Sequence, residues 1–381
     1  SLPPEVYRLI QLRICGRKTM RVTLGDVCEK GSSNLKQSDV INKTGAYPIY
    51  GAAGYLGNVD FYHQDKPYVA VVKDGAGIGR TTLHPAKSSV IGTMQYLLPK
   101  SNVLPEYLYY VVQYMHLEKY FTGATIPHIY FKDYKAEQFN LDAMERQKEI
   151  VASLQKVETF IKVRQQQLQK LDELVKARFV ELFGDPISNP HGFDKVDLSE
   201  LADIKIGPFG SLLHKGDYIE GGYALLNPSH IIDGKIAPDS ELTVSREKYE
   251  ELSAYHLKAG DVVMGRRGEM GRCAVVPCDG YLCGTGSLLI RTKGDVTADY
   301  IQKIISFPSF KKAIEDMAVG QTMPNLNVPI VSKFQIIKPP IEVQHSYYAF
   351  VEQTDKSKVA VQKSLDEAQL LFDSLMQQYF G

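Results

Sequence analysis

The sequence lacks several features that would assign it to a common functional class. Lys and Arg total 44, Asp and Glu also total 44, and the formal net charge of the 381 residues is zero. This balance argues against a protein that holds nucleic acid by bulk charge alone, although it is compatible with a locally basic groove. No apolar run approaches the roughly 20 residues of a membrane span, and the first residues lack the apolar segment of a secretory signal. We therefore expect a soluble, cytoplasmic protein without membrane contact.

Cysteine is scarce, with five residues in the whole chain. An odd number without a signal peptide predicts reduced thiols. Cys273, Cys278 and Cys283 follow a C-x4-C-x4-C spacing, which suggests a metal site. Structural zinc sites have a tighter spacing and a fourth ligand nearby, and the matching positions of the other half of the chain hold no cysteine. We therefore expect no metal in this chain.

The motifs of common catalytic sites are also missing. The sequence contains neither the G-x-x-x-x-G-K-[S/T] phosphate loop nor an H-E-x-x-H metal motif. Gly75, Gly77 and Gly79 form a glycine run, but no helix pattern clearly follows it. The segment 227–230, Asn-Pro-Ser-His, begins like the Asn-Pro-Pro-aromatic motif of amino-methyltransferases but lacks the second proline and the aromatic residue. We expect a chain that is not an enzyme and binds no cofactor itself.

The most informative feature that is present is a repeated helical segment. Residues 145–184 return in altered form as 342–381, with a constant offset of 197 residues from Glu145 to Glu342 and from Gly184 to Gly381. Each copy is free of proline and of internal glycine and predicts a helix of roughly 60 Å. Two unrelated surface helices are the alternative, but a register kept over the whole segment favours a duplication.

Both copies carry a stripe of mainly apolar residues in alternating steps of four and three, which is typical of a coiled coil. Arg164 and Lys358 are the charged residues of this stripe. We predict that these helices form the seam of a coiled coil and a docking surface for partners. The residues selected for that role are Leu154, Ile161, Leu168, Leu171, Val361, Leu365 and Phe372.

The globular segments before the two helices repeat as well, in the order strand, glycine loop, strand and helix. Their offset grows from 174 to 197 residues, so insertions are confined to the globular parts. We predict an α+β protein with two similar α/β domains and two long helices in an antiparallel coiled coil with pseudo-two-fold symmetry. The predicted divisions are an extension 1–19 before a native start at Met20, a first domain 20–143, helix 144–184, linker 185–195, a second domain 196–340 and helix 341–381.

The antiparallel arrangement follows from the chain path. The first helix delivers the chain to the second domain, and an antiparallel return needs only a turn, whereas a parallel return needs a further crossing of about 60 Å. Such a chain resembles a dimeric DNA-binding protein made from one polypeptide. Two-fold proteins of that kind engage two half-sites on one face of the DNA. Because the two domains differ in sequence, the half-sites are expected to differ too.

Several local segments resemble one known family. They are YPIYGAAGYLGNVDFY and VVKDGAGIGR in the first half, GPFGSLLHKGDY and LKAGDVVMGRRGEMGR in the second, and a G-x-T-[I/M]-P motif in both. From about Met20 to Gly381 the chain is similar to the specificity subunits of type I restriction-modification enzymes. The resemblance implies two target recognition domains and two long helical regions that form an antiparallel coiled coil.

The resemblance also implies a function and partners. Each domain would recognise one half of a bipartite, asymmetric site in double-stranded DNA. The helices would dock methyltransferase subunits, two of them, and restriction subunits would join through the complex. Catalysis would belong to the partners, with S-adenosylmethionine in the methylating subunit and ATP with Mg in the cleaving subunit.

DNA recognition requires side chains that hold phosphates and side chains that reach base edges. The loops shared by the two halves supply one set of candidates: Lys73, Arg80, Thr93 and His128 in the first domain, and Arg266, Arg267, Arg272, Thr285 and Asn325 in the second. For Arg80 and Arg272 the alternative is a structural role, in which each pairs with an acidic neighbour and stabilises a shared turn.

Residues that the halves do not share are better candidates for reading sequence. They are Tyr55, Asn58 and His84 in the first domain and Lys215, Ser229 and Arg267 in the second. A solvated loop position is the alternative for each, and for the tyrosines packing within the protein is the alternative to stacking on bases. At the level of the whole chain, the alternative function is a two-headed, non-catalytic scaffold that binds proteins.

Overall fold

The computed structural model describes residues 19–122, 127–269, 271–318 and 325–381. Most of the predicted extension and most of both G-x-T-[I/M]-P motifs lie outside these ranges. The chain forms two compact units. The first holds the described residues up to Gln169 together with Val359–Gly381, and the second holds Lys170–Lys358. Each unit therefore contains one globular domain and a part of both long helices.

The strands and helices have the following bounds. The strands are β1 Thr19–Thr23, β2 Cys28–Ser32, β3 Tyr47–Gly51, β4 Gly54–Val59, β5 Tyr68–Val72, β6 Thr81–His84, β7 Ser89–Val90, β8 Met94–Pro99, β9 Gln138–Asp142, β10 Asp194–Asp197, β11 Ala202–Ile206, β12 Tyr218–Ile219, β13 Tyr223–Leu226, β14 Ile231–Ile232, β15 Lys235–Ile236, β16 Thr243–Val244, β17 His256–Leu257, β18 Val262–Gly265, β19 Cys273–Val275, β20 Tyr281–Cys283, β21 Ser287–Thr292 and β22 Gln335–Lys338. The helices are α1 Leu24–Val27, α2 Pro105–Tyr114, α3 Phe131–Tyr134, α4 Met144–Phe183, α5 Leu198–Leu201, α6 Arg246–Glu251, α7 Ala298–Ile305, α8 Pro308–Ala318, α9 Val328–Ser332 and α10 Ile341–Phe380.

The first domain is built on an antiparallel sheet in the order β2-β8-β5-β6. Its strand β5, with the sequence YVAVV, is buried along its whole length, as expected for a continuous apolar run covered on both faces. A second sheet has the order β4-β3-β7, in which β3 and β7 are parallel. Strands β1 and β9 pair separately, with Thr19 opposite Asp142.

The second domain repeats this topology. Its main antiparallel sheet has the order β11-β21-β18-β19, β13 and β20 form the parallel pair, and β10 pairs with β22. The hairpin β14–β15, the strand β12 and the helix α6 are additional parts of this domain, whereas β16 pairs with β13 as β4 pairs with β3. The duplication predicted from the sequence is therefore present in the strand pairing, and the insertions lie in the globular part.

In the first unit the two long helices run antiparallel. Tyr110 of α2 contacts both of them, because its hydroxyl donates to Glu158 of α4 (2.6 Å) and its ring lies 6.3 Å from that of Phe372 of α10. Further along, the guanidinium of Arg146 lies 5.9 Å from the centre of the Tyr379 ring. Since Arg146 precedes Glu158 whereas Tyr379 follows Phe372, the helices have opposite directions.

The second unit shows the same arrangement with its own residues. Lys358 of α10 lies 2.8 Å from the carboxylate of Asp172 of α4. The Tyr347 ring lies 5.5 Å from the rings of both Phe179 and Phe183. Residues in the first half of α10 thus contact residues in the second half of α4, so the two helices again run antiparallel. The ion pair of Lys358 explains how a charged residue is accommodated in the predicted stripe.

The residues predicted for the seam differ in burial along the two helices. Leu154 and Phe372 are buried, and the remaining five, Ile161, Leu168, Leu171, Val361 and Leu365, are half-buried. Within the first unit, Arg164 is half-buried, and its guanidinium lies over Phe160 (4.6 Å) and donates to Gln167 (2.7 Å). The seam is therefore best packed where it joins the core of a globular domain.

The end of α4 has a local cause. Gly184 follows the last helical residue with φ of +70°, and a side chain there would lie 2.4 Å from the ring of Pro190. Glycine adopts this left-handed conformation without strain, so it stops the helix at the predicted place. None of the described helices is long and apolar enough to cross a membrane.

Candidate nucleic-acid interface

In the first domain three chain segments meet where β5 ends. The Lys73 N–H donates to the Thr93 carbonyl (3.0 Å), and the Lys73 carbonyl accepts from the Ile129 N–H (2.9 Å). We call Lys73 with these two partners the β5 junction. The glycine loop 75–79 begins here, and His128 immediately precedes Ile129. The structure thus brings together Lys73, Thr93 and His128, which are distant in sequence.

The second domain has the same junction at the end of β18. The Arg266 N–H donates to the Gly286 carbonyl (2.9 Å), and the Arg266 carbonyl accepts from the Leu326 N–H (3.0 Å). Thr285 precedes Gly286, and Asn325 precedes Leu326. We call Arg266 with these partners the β18 junction. The two domains therefore present different side chains on one backbone frame.

The arginine shared by the two loops has a structural partner in each domain. Arg80 donates to the carbonyl of Ala52, and Arg272 donates to the carbonyl of Pro228 (3.3 Å). In each domain the accepting carbonyl lies two residues after the last position at which the first of the two parallel strands, β3 or β13, pairs with the second. The two arginines thus tie their loops to equivalent turns, which favours the structural alternative over base contact for both.

Arg272 also has an acidic partner, as that alternative required. The Glu269 carboxylate lies 2.7 Å from Arg272 and 2.8 Å from Lys311 of α8. Hydrogen bonds from Lys311 and then from Arg272 lower the pKa of Glu269 to about 2. This carboxylate holds the loop of the second domain against α8, and it was not selected from the sequence.

The β5 junction carries a linked group of polar and aromatic side chains. Nδ1 of His128 lies 2.6 Å from Oδ1 of Asp74, and Nζ of Lys73 lies 3.7 Å from Oδ2 of Asp74. The ring of Tyr130 stacks near that of His128, with centroids 6.3 Å apart, and Lys132 lies 5.5 Å above Tyr130. Asp74 and Tyr130 were missed in the sequence, although each adjoins or nearly adjoins a residue that was selected.

The β18 junction is more basic. Arg266 is half-buried and donates from Nε to the Leu326 carbonyl (3.0 Å) and from Nη1 to the Thr285 carbonyl (3.5 Å). Burial, and secondly the charge of Arg267, lower the pKa of Arg266. Arg267 is exposed, and its side chain has neither a hydrogen bond nor an ion pair with any residue that the structure describes. Oδ1 of Asn325 is a buried acceptor without a partner in the same described part of the chain.

Two of the unshared candidates of the first domain lie on the hairpin β3–β4. Tyr55 is 61% exposed, and its hydroxyl donates to Oδ1 of the half-buried Asn58 (3.0 Å). The Tyr55 ring meets Tyr50 edge to face, with centroids 6.0 Å apart. This geometry leaves one face of an aromatic ring open to solvent, as stacking on a base requires.

His84 is placed differently from the prediction. Its side chain is buried at the end of β6, 5.2 Å from the Tyr68 ring and 4.4 Å from the Tyr50 ring, and its Nε2 lies 2.8 Å from Oγ1 of Thr82. Burial lowers the pKa of His84 to about 4, so the imidazole is neutral at neutral pH. The structure therefore contradicts a DNA-contacting role for His84, which belongs to the core between the two sheets.

The unshared candidates of the second domain are on exposed turns. Lys215 opens the short turn Lys215–Asp217, and Ser229 lies in the turn Pro228–His230, whose Pro228 carbonyl is held by Arg272. Both residues are exposed. The Ser229 turn is therefore connected to the β18 junction through Arg272, whereas Lys215 lies in a separate turn.

The cysteines with metal-like spacing occupy unlike environments. Cys273 and Cys283 are buried, and burial raises the pKa of both thiols to about 12, whereas Cys278 is exposed. A zinc ligand must be a thiolate. Among the described residues no group of three or more His, Cys, Asp and Glu side chains is arranged to hold a metal ion.

The chain is similar to known proteins both in its sequence and in its fold. The family described as type I restriction modification DNA specificity domain matches the chain twice, at residues 17–173 and 190–368. The fold is similar to that of the type I restriction-modification system S subunit from M. genitalium, with a TM-score of 0.61, 14% identity and coverage of 97% of this chain and 98% of that chain.

A second similar structure is described as the structural basis underlying complex assembly and conformational transition of the type I R-M system. Its TM-score is 0.61 at 14% identity, and the match covers 96% of this chain and 98% of that chain. Identity at this level shows a shared fold, while the two family matches cover most of the sequence. The chain belongs to the type I restriction modification DNA specificity family and contains two copies of its DNA specificity domain.

Proposed function

We propose that this chain is the specificity subunit of a type I restriction-modification complex and that each domain reads one half of a bipartite, asymmetric DNA site. The observation that carries the proposal is the repeated junction. Lys73 and Arg266 are held by equivalent backbone hydrogen bonds at the ends of β5 and β18. Proteins that read two half-sites do so with repeated structural frames. Different side chains on such a frame select different bases, so the two half-sites differ.

The two long helices act in this proposal as a spacer and as the docking surface for methyltransferase subunits. Their inward stripe is used for packing the helices themselves. Several apolar residues face solvent elsewhere on the same helices, namely Val163, Leu174, Val180, Val359 and Leu370. Apolar side chains exposed singly are common on protein surfaces, so a docking role requires that these residues form one contiguous patch. The similar structure described in terms of type I R-M complex assembly is consistent with this role.

Catalysis is assigned to the partner subunits. Two methyltransferase subunits would bring S-adenosylmethionine, and restriction subunits would bring the ATP and Mg sites. The full sequence of this chain has no phosphate-loop motif and no complete methyltransferase motif, which supports a non-catalytic role. Double-stranded DNA in the cytoplasm is the proposed substrate of the complex.

The test is selection from a randomised duplex library with the full chain alone and in complex with its cognate methyltransferase subunits. The expected result is enrichment of two short conserved blocks separated by a spacer of fixed length and free sequence. The complex with methyltransferase is the decisive sample, because the neutral net charge predicts weak binding by the chain alone. A matched control is the same complex with a chain that lacks both globular domains.

Two outcomes would contradict the proposal. Enrichment of a single uninterrupted block would refute the assignment of one half-site to each domain. Absence of any sequence preference in an intact complex would favour the alternative of a protein-binding scaffold.

A further inference from the structure

The two junctions differ most at the residue that follows the shared backbone position. In the first domain this residue is Asp74, which follows Lys73, and in the second it is Arg267, which follows Arg266. Residue 73 or 266 is bonded to two other segments in the same way in both domains, and Arg80 or Arg272 ties down the far end of the loop, which is one residue shorter in the second domain. The side chains at 74 and 267 therefore emerge from equivalent sites with opposite charge.

Among the three arginines of the β18 junction and its loop, Arg267 is the one whose guanidinium is available for contact outside the protein. Arg266 is occupied by the carbonyls of Leu326 and Thr285, and Arg272 by Glu269 and Pro228. Arg267 is exposed, and no hydrogen bond or ion pair joins it to the described residues. A free guanidinium presents a fork of donors that matches the O6 and N7 acceptors of guanine.

In the first domain, Asp74 offers acceptors where Arg267 offers donors. His128 holds Oδ1 of Asp74 at 2.6 Å and so fixes the carboxylate. Among the described residues Oδ2 has only the more distant Lys73 (3.7 Å), and the side chain of Asp74 is 30% exposed. A carboxylate has about four lone-pair directions, so Oδ2 retains acceptor capacity. In the major groove, the donors that such an acceptor meets are the amino groups of cytosine and adenine.

We propose that Arg267 reads a guanine in the half-site of the second domain, and that Asp74, fixed by His128, reads a cytosine or adenine amino group in the half-site of the first domain. The proposal rests on the proposed function, since it assumes that each domain reads one half-site. It adds the chemical class of one base in each half. The difference between the half-sites then arises from one exchange of charge on a common frame.

The experiment is selection from a randomised duplex library with the full chain in complex with its methyltransferase subunits, comparing wild type with Arg267→Gln and Asp74→Asn. Arg267→Gln is expected to lower the preference for guanine at one position by about tenfold, within the range for a bidentate contact, and to leave the other half-site unchanged. Asp74→Asn is expected to lower the preference for cytosine or adenine at one position of the other half-site.

Matched controls remove one charge from an exposed position of the same domain. Arg246→Gln serves the second domain and Asp65→Asn the first, and neither is expected to change any base preference. Thermal unfolding of every variant shows whether a lost preference reflects loss of fold. His128→Gln provides a second variant for the first domain, because it releases the Asp74 carboxylate without removing it and is expected to weaken the same base preference.

The results separate this inference from the function on which it rests. If the wild-type complex selects a bipartite site and Arg267→Gln keeps every preference, the inference is wrong while the function stands. The inference also fails if Arg267→Gln weakens all sequences uniformly, as loss of a phosphate contact would, or if the lost preference is not for guanine. A wild-type complex without sequence preference contradicts the function itself.

Discussion

The shared arginines provide a prediction that separates a structural role from DNA binding. Replacing Arg80 or Arg272 by Met removes the charge and the hydrogen bonds but keeps much of the apolar stem. Arg80 loses its bond to the Ala52 carbonyl, and Arg272 loses its bond to the Pro228 carbonyl and its ion pair with Glu269. We expect each variant to destabilise the domain that carries it and to leave the number of phosphate contacts unchanged.

The magnitude follows from the exposure of these groups. A hydrogen bond to a charged group contributes about 1.5–3 kcal/mol, whereas an exposed ion pair contributes about 0–1 kcal/mol. The Arg272 side chain is 36% exposed, so the lower part of the first range applies. We expect the free energy of unfolding to fall by about 1.5–2 kcal/mol per variant. For units of this size, 1 kcal/mol lowers Tm by about 2–4 °C.

Two assays are needed on the same samples. Scanning calorimetry measures Tm, and duplex binding at several KCl concentrations gives the slope of log K against log salt. The expected result is a lower Tm with an unchanged slope. Lys215→Met is the matched control, an exposed cation on another loop whose replacement is expected to leave Tm unchanged. A slope smaller by about 0.9, the value for one phosphate contact, together with an unchanged Tm would refute the structural role.

Two further predictions concern stability. Leu154→Ala should lower the free energy of unfolding by about 2–5 kcal/mol, because Leu154 is fully buried. Leu168→Ala should lower it by clearly less, because Leu168 is half-buried. Equal losses for the two variants in denaturant titrations would contradict this packing. Lys311 and Arg272 lower the pKa of Glu269 to about 2 from an ordinary value of 4.5, so its contribution is present above pH 4.5 and disappears as pH falls toward 2. Glu269→Gln should flatten the stability curve in that window, and an unchanged acid titration would exclude the contribution.

The long helices were predictable because their determinants are local. The sequence predicted helices at 144–184 and 341–381, and the structure has Met144–Phe183 and Ile341–Phe380. Steps of four and three specify the buried face, and Gly184, with its positive φ, ends the first helix. The antiparallel pairing inside each unit was predicted from the chain path. The pseudo-two-fold relation between the domains stays a prediction.

The candidate site was only partly predictable because its determinants are distant in the chain. The repeat indicated Lys73, Thr93 and His128, and the structure brings them to one junction. His84 could not be recognised as a core residue, since its burial depends on the pairing of β5 with β6 and on Tyr50 from another sheet. The carbonyl partners of Arg80 and Arg272, on Ala52 and Pro228, likewise lie in turns that no local pattern connects to the two arginines.

Domain exchange tests the central claim most directly. Residues 20–143 would be replaced by the corresponding domain of another family member, and the site selected by the full complex would be compared with that of the original chain. If each domain reads its own half, one half-site changes while the other half-site and the spacer length stay the same. A change in both half-sites, or in neither, would contradict the claim that each domain reads its own half.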